Sequence, residues 1–153
     1  MPFYTISLTA PGAPEYDQVL ALREAVLRRP IGLSLKDEDL SGEQAETTLI
    51  ATTGDGSVVA CLMMRHLTEE EAKLRQMAVA PEMQGQGIGL ALLQKAEELA
   101  VERGYRIISL HARETAVPFY LRAGYRVIGD VFTEVGIPHL FMNKRIDEVS
   151  ALP

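Results

Sequence analysis

One cysteine, Cys61, stands among 153 residues, so the chain can close no internal disulfide and build no thiolate metal cluster. It lies in the apolar run Val58-Val59-Ala60-Cys61-Leu62-Met63-Met64, where a thiol serves as a small hydrophobe. The 3 histidines, His66, His111 and His139, are scattered and form no H-x-x-x-H pair, so no metal is expected. No apolar run approaches the ~20 residues that span a bilayer. Met1 to Thr5 lacks the basic start and long apolar core of a secretory signal, and a cytoplasmic location with no membrane partner is the expectation. Basic residues are also short: 15 Lys and Arg stand against 21 Asp and Glu, for a net charge of −6. With no densely basic stretch, nucleic acid is not an expected partner.

What is present suits one folded domain over residues 1–153, since 47% of the residues are apolar and the length is that of a single core. Phe3 to Leu8 alternates as a first strand and ends at the turn-rich Ala10 to Pro14. Tyr16, Val19, Leu20, Arg23, Val26 and Leu27 fall on one helical stripe that should stop before Pro30. Ile31 to Ala45 reads as polar loop with a short helix around Asp37 to Leu40. Thr47 to Thr52 and Val58 to Arg65 form a hairpin about Asp55-Gly56. An acidic connection, Thr68 to Glu71, leads to a strand over Lys73 to Val79. Ile88, Leu92, Ala96, Leu99 and Arg103 then step along one helix face up to the stop at Gly104. Arg106 to Ala112 is apolar enough for an interior strand parallel to Leu74 to Val79. A short helix over Ala116 to Ala123, a strand over Tyr125 to Gly129, a tight turn at Gly136-Ile137-Pro138 and a strand over His139 to Lys144 complete an α/β chain with a mixed sheet.

The richest segment is Gln84-Gly85-Gln86-Gly87-Ile88-Gly89, between a strand and a long helix. A helix starting there points free N–H groups and its positive dipole end outward, and glycines let a phosphate approach. No Lys and Ser/Thr pair follows the glycines, which excludes a nucleotide-hydrolysing loop. Leu92 fills the third glycine position of a dinucleotide fingerprint, and the next strand ends in Leu110-His111-Ala112 rather than an acid.

The spacing of Gln84, Gly87 and Gly89 resembles the Q/R-x-x-G-x-G/A pattern of the GNAT superfamily of acetyl-CoA-dependent N-acetyltransferases. Two further segments share the likeness: Leu110 to Tyr120 running into Ala123-Gly124-Tyr125, and Glu134-Val135-Gly136-Ile137-Pro138-His139. The resemblance covers residues 74–146 well and the N-terminal half by pattern alone. It implies a mostly antiparallel sheet of six to seven strands, with two splayed parallel strands at its centre and flanking helices.

It also implies a reaction: direct transfer of an acetyl group from acetyl-CoA to a primary amine of a small molecule or peptide. Such transfer needs a placed thioester, a deprotonated amine and a proton for the leaving thiolate. By resemblance, Gln84, Gly85, Gln86, Gly87, Ile88 and Gly89 hold the coenzyme A pyrophosphate, and backbone of Met77, Ala78 and Val79 lies along the pantetheine arm. Arg113, Val117 and Tyr120 are further coenzyme contacts, with Tyr120 the general acid. No carboxylate lies between Glu71 and Glu82, where some family members carry a base. Glu134 and His139 are the candidates for base or acceptor contact, with relay through water as the other route. His111, where relatives often show Asn, is expected to orient the loop by a hydrogen bond, with a role as base or ligand as the alternative. A homodimer is a property that the resemblance carries, and a non-catalytic acyl-CoA sensor is the alternative function. Acyl length and acceptor identity are not written in these motifs.

Overall fold

The computed structural model describes residues 3–147. In chain order its strands are β1 (Tyr4–Thr9), β2 (Thr47–Thr53), β3 (Val58–His66), β4 (Glu71–Val79), β5 (Ile107–Arg113), β6 (Arg126–Glu134) and β7 (Ile137–Arg145). Its α-helices are α1 (Tyr16–Arg23), α2 (Ile88–Glu102) and α3 (Val117–Arg122). The strands form one seven-stranded mixed sheet in the order β1-β2-β3-β4-β5-β7-β6. β4 and β5 are parallel, paired from Glu71↔Ile107 to Leu74↔Leu110, and the other recorded pairings are antiparallel. Among the described residues, no helix is long and apolar enough to cross a membrane.

Backbone proximity divides the chain into two compact units, one of residues 3–65 and 76–96, the other of residues 66–75 and 97–147. In the first unit, β3 is buried from Val58 to Met64, as its unbroken apolar run requires of a strand covered on both faces. Gln18 fastens α1 to the β2–β3 hairpin: its amide nitrogen donates to the Gly56 carbonyl at 3.2 Å, and its oxygen accepts from the Val58 amide at 2.9 Å. The helical stripe does not stop before Pro30. After Arg23 the backbone loosens into a π-helical turn, Glu24–Arg28, and tightens into a 3₁₀ turn, Arg29–Ile31, whose first positions tolerate Pro30 because no amide is needed there. The short helix read at 37–40 is instead a pair of 3₁₀ turns, Leu35–Asp37 and Ser41–Ala45. The expected stripe on α2 is buried at Ile88, Leu92 and Ala96, joined by Leu93 and Ala100, whereas Arg103, just past the helix, is exposed.

In the second unit, α2 ends as a Schellman cap, with Gly104 at φ +88° and the Tyr105 amide donating to the Ala100 carbonyl at 3.0 Å. α3 repeats the device at Gly124 (φ +97°), where the Tyr125 amide donates to the Tyr120 carbonyl at 3.0 Å. That cap stacks Tyr125 edge-on against Tyr120, with ring centroids 5.8 Å apart. Beyond it, β6 runs to Glu134, well past the expected end at Gly129. The turn into β7 is Val135-Gly136, not Gly136-Ile137-Pro138, and Pro138 pairs with Thr133 inside the strands. Both turn residues have positive φ, 46° and 78°, the signature of a type I′ hairpin.

Candidate functional site

The first unit carries the glycine loop. β4 ends at Val79, a 3₁₀ turn follows over Pro81–Met83, and α2 begins at Ile88. Gly85 and Gly87 hold φ of +77° and +83°, a region that disfavours any side chain by roughly 1–2 kcal/mol. A Cβ at either glycine would have nothing within 4 Å, so the space over the loop is open. The loop is pinned from below: Met83 and Ile88 are buried, the Gln84 side chain donates to the Val79 carbonyl at 2.9 Å, and the Gln86 side chain donates to the Glu82 carbonyl at 3.3 Å. The Gln84 amide is used internally, donating to the Pro81 carbonyl at 3.3 Å. The amides of Gly85, Gln86, Gly87, Ile88, Gly89 and Leu90 have no acceptor among the described residues, and Ala91 is the first to donate back, to Gly87 at 3.0 Å. Orphan N–H groups at the start of a 15-residue helix point the positive end of its dipole into that open space, an arrangement that favours negative charge.

Met77, Ala78 and Val79 form the end of β4, just after Gln76, which adopts φ +59°. A non-glycine residue in that region is uncommon, and three contacts hold it here. The Gln76 carbonyl accepts from the Cys61 thiol at 3.4 Å, the Gln76 side chain accepts from Arg23 Nε at 3.3 Å, and the Ala80 amide anchors the strand end on the Val59 carbonyl at 2.8 Å. Burial pushes the Cys61 thiol up to about 12, so it stays an inert packing group.

Arg23 and Glu43 make a fully buried pair that the sequence does not announce. Arg23 Nη1 and Nη2 grip the two Glu43 oxygens at 2.9 and 2.8 Å, and the Tyr16 hydroxyl donates to the same carboxylate at 2.5 Å. Burial, and then the adjacent Glu43 carboxylate, raise the Tyr16 phenol to about 12. Arg23 is held above its ordinary value, because Glu43 outweighs the burial that would lower it. An arginine on an apolar stripe signals that an acid must meet it, but several glutamates follow and spacing cannot choose among them.

The second unit carries the remaining candidates. Tyr120 is buried on α3, packed edge-on against Phe119 at 5.0 Å, and its hydroxyl has no hydrogen bond among the described residues. Burial raises its phenol to about 12, so it keeps its proton at neutral pH. Arg113 ends β5, paired with His139, and Val117 opens α3.

Glu134 and His139 are brought together, and His111 joins them. His111 Nδ1 lies 2.8 Å from Glu134 Oε1, and His139 Nε2 lies 3.7 Å from Glu134 Oε2. The His111 ring stands edge-on to Phe132 at 5.1 Å and tilted to Phe141 at 5.9 Å. His139 Nδ1 sits 3.0 Å from the Ile137 carbonyl, which can only accept, so that nitrogen carries a proton. Partial burial would raise the Glu134 carboxyl, but the His111 hydrogen bond and the His111, His139 and Lys73 charges hold it below its ordinary value. The pairing of His111 with Glu134 across 23 residues has no local signature.

The acetyltransferase (GNAT) domain family matches residues 33–146. The chain is 37% identical over 73 residues to an uncharacterized N-acetyltransferase, YjcF, of Bacillus subtilis, a match covering 47% of this chain and 52% of that protein. It thus spans about half the length of the curated relatives it matches. A Lactobacillus plantarum crystal structure, provisionally described as an N-acetyltransferase, superposes with a TM-score of 0.83 at 26% identity, over 94% of this chain and 98% of that one. A GNAT family acetyltransferase from Elizabethkingia anophelis with acetyl-CoA bound shares the fold, with a TM-score of 0.68 at 21% identity over 93% of this chain and 97% of that one. With a family match across most of its length, a mixed sheet with one parallel pair and an open glycine loop at the head of α2, this chain belongs to the GNAT acetyltransferase family.

Proposed function

We propose that the chain is an N-acetyltransferase that binds acetyl-CoA and passes the acetyl group directly to a primary amine. The observation that carries this reading is the row of unpartnered amides from Gly85 to Leu90 at the start of α2, under open space. A pyrophosphate offers several acceptor oxygens and negative charge, which is what such a row lacks. The Elizabethkingia anophelis neighbour with acetyl-CoA bound supports the same ligand here. Met77, Ala78 and Val79 are the backbone we assign to the pantetheine arm, with Arg113 and Val117 as further contacts. An amide aimed at the thioester oxygen would stabilise the transition state by roughly 3 kcal/mol.

In this reading Tyr120 protonates the departing sulfur. Its burial keeps the phenol protonated at neutral pH, and its hydroxyl is uncommitted to any described group. No covalent enzyme intermediate is needed, so the inert Cys61 thiol has no part in the chemistry.

The test incubates the protein with acetyl-CoA and a panel of spermidine, glucosamine, lysine and an aminoglycoside, and follows release of free thiol. Release on at least one amine is expected, with Tyr120→Phe lowering kcat while leaving the acetyl-CoA Kd nearly unchanged. Tight acetyl-CoA binding with no release on any amine would contradict the transferase reading and favour a sensor. Equal turnover by Tyr120→Phe across pH would remove that residue's role as acid.

A further inference from the structure

The His111–Glu134–His139 cluster contains three groups that could accept a proton, and their geometry separates them. Glu134 is already engaged: Oε1 accepts from His111 at 2.8 Å, and Oε2 faces His139 at 3.7 Å. The His111 hydrogen bond and the Lys73 charge that help hold this carboxyl low also make it a weak base. His139 is a poor choice on access, since its side chain is only 4% exposed and its Nδ1–H is committed to the Ile137 carbonyl.

His111 differs on both counts. Its side chain is 27% exposed, on β5 one residue past Leu110, the last position paired with β4. An ionised carboxylate is an acceptor only, so the 2.8 Å contact to Glu134 requires the proton of neutral His111 to sit on Nδ1. Nε2 is then left with a bare lone pair and no hydrogen bond among the described residues. Phe132 and Phe141 wall the ring at 5.1 and 5.9 Å and restrict its rotation. This is a histidine fixed in the tautomer that accepts protons, with the carboxylate behind it placed to stabilise the imidazolium that results.

We propose that His111 is the general base, taking a proton from the acceptor's ammonium through Nε2, and that Glu134 is its positioning residue. The proposal rests on the acetyl-transfer reading above. The ammonium gives one proton to His111 Nε2, and the freed nitrogen lone pair attacks the thioester carbonyl carbon. The C–N bond forms and the C–S bond breaks, with its electron pair moving to sulfur. Tyr120 protonates the thiolate, and the second proton lost by nitrogen restores the phenol through solvent. His111 returns its proton to solvent, so one proton is released per amide formed.

The titrating groups around His111 are Glu134 from β6, His139 from β7 and Lys73 from β4, which acts on Glu134, with Arg113 further along its own strand. The test compares kcat/KM against pH for the wild type, His111→Gln and Glu134→Gln on whichever panel amine is acetylated. Acetyl-CoA Kd and melting temperature serve as checks on folding. His111→Gln should lower kcat at least 100-fold and remove an acidic-limb inflection that the wild type shows. Glu134→Gln should lower kcat about tenfold and keep that inflection, because the base itself is still present. Acetyl-CoA Kd should stay within twofold in both.

Wild-type turnover with the same inflection in His111→Gln would overturn the base assignment while leaving acetyl transfer standing. Binding without thiol release on any amine would overturn acetyl transfer itself, and the base with it. A readout that needs no turnover is the ¹⁵N spectrum of the neutral histidines. A proton on Nδ1 of His111, with bare Nε2, is expected, and a proton on Nε2 would overturn the proposal.

Discussion

Two buried or half-buried charge clusters set the residue-scale energetics, and they respond to mutation differently. Arg23 and Glu43 are both removed from water and satisfy one another, so losing one partner leaves an uncompensated buried charge. Glu43→Ala should destabilise the protein by about 3–5 kcal/mol in urea unfolding. Tyr16→Phe removes one hydrogen bond to the same carboxylate and should cost about 1–2 kcal/mol. Comparable losses from the two variants would contradict a dominant buried ion pair. Glu134, with its side chain 43% exposed, contributes through a partly solvated contact, and a surface-like strength is expected. Its depressed pKa fixes the sign: its contribution is present above the ordinary carboxylate range and disappears as pH falls through the depressed value. The glycine loop was legible because its information is local, a few residues in a row. The partners of Arg23 and His111 were not, since each contact joins residues 20 or more positions apart and only the folded strands and turns bring them together.

Among the elements, turns carry the strain and the surprises. Strand and helix existence followed from alternation, apolar runs and the glycine stops, and the parallel pairing of β4 with β5 agrees with the apolar character of β5. Boundaries departed where backbone conformation rather than pattern decided them. The π-helical turn after Arg23 is one case, since nothing in its composition separates it from an ordinary helix. The β6–β7 turn is another, because proline chemistry suggested a turn one residue later than the type I′ geometry at Val135-Gly136. A β-branched residue at φ 46° is unfavourable, and asparagine tolerates that region far better. Val135→Asn should therefore stabilise the protein by about 0.5–1 kcal/mol, raising Tm by roughly 2–4 °C. An unchanged or lower Tm in scanning calorimetry would mean that the valine side chain contributes more packing than its backbone costs.

For the whole molecule, pH stability and ligand linkage follow from the same burial. Tyr16 and Tyr120 each keep their protons up to about 12, against 10.0 for a free phenol, and Cys61 does so against 9.0 for a free thiol. Raised values mean that the folded state prefers the protonated form. Stability from these groups is whole below the unfolded values and is lost as pH climbs from about 9 toward 12. Thermal melts across that range should show a steady fall in Tm, and a flat profile would contradict the burial of these side chains. Acetyl-CoA should act in the opposite direction, stabilising by about 2.7 kcal/mol at a hundredfold excess over its Kd. Gly87→Glu, which sets a negative side chain in the open space over the loop, should abolish that protection.

The account turns on the loop amides as the seat of the coenzyme's pyrophosphate, and an amide-resolved NMR titration reads those atoms directly. Coenzyme A should shift the N–H resonances of Gly85, Gly87, Ile88 and Gly89, while pantetheine, which lacks the pyrophosphate, should leave them in place. Identical shifts with both compounds, or coenzyme A shifts confined to other parts of the chain, would contradict it.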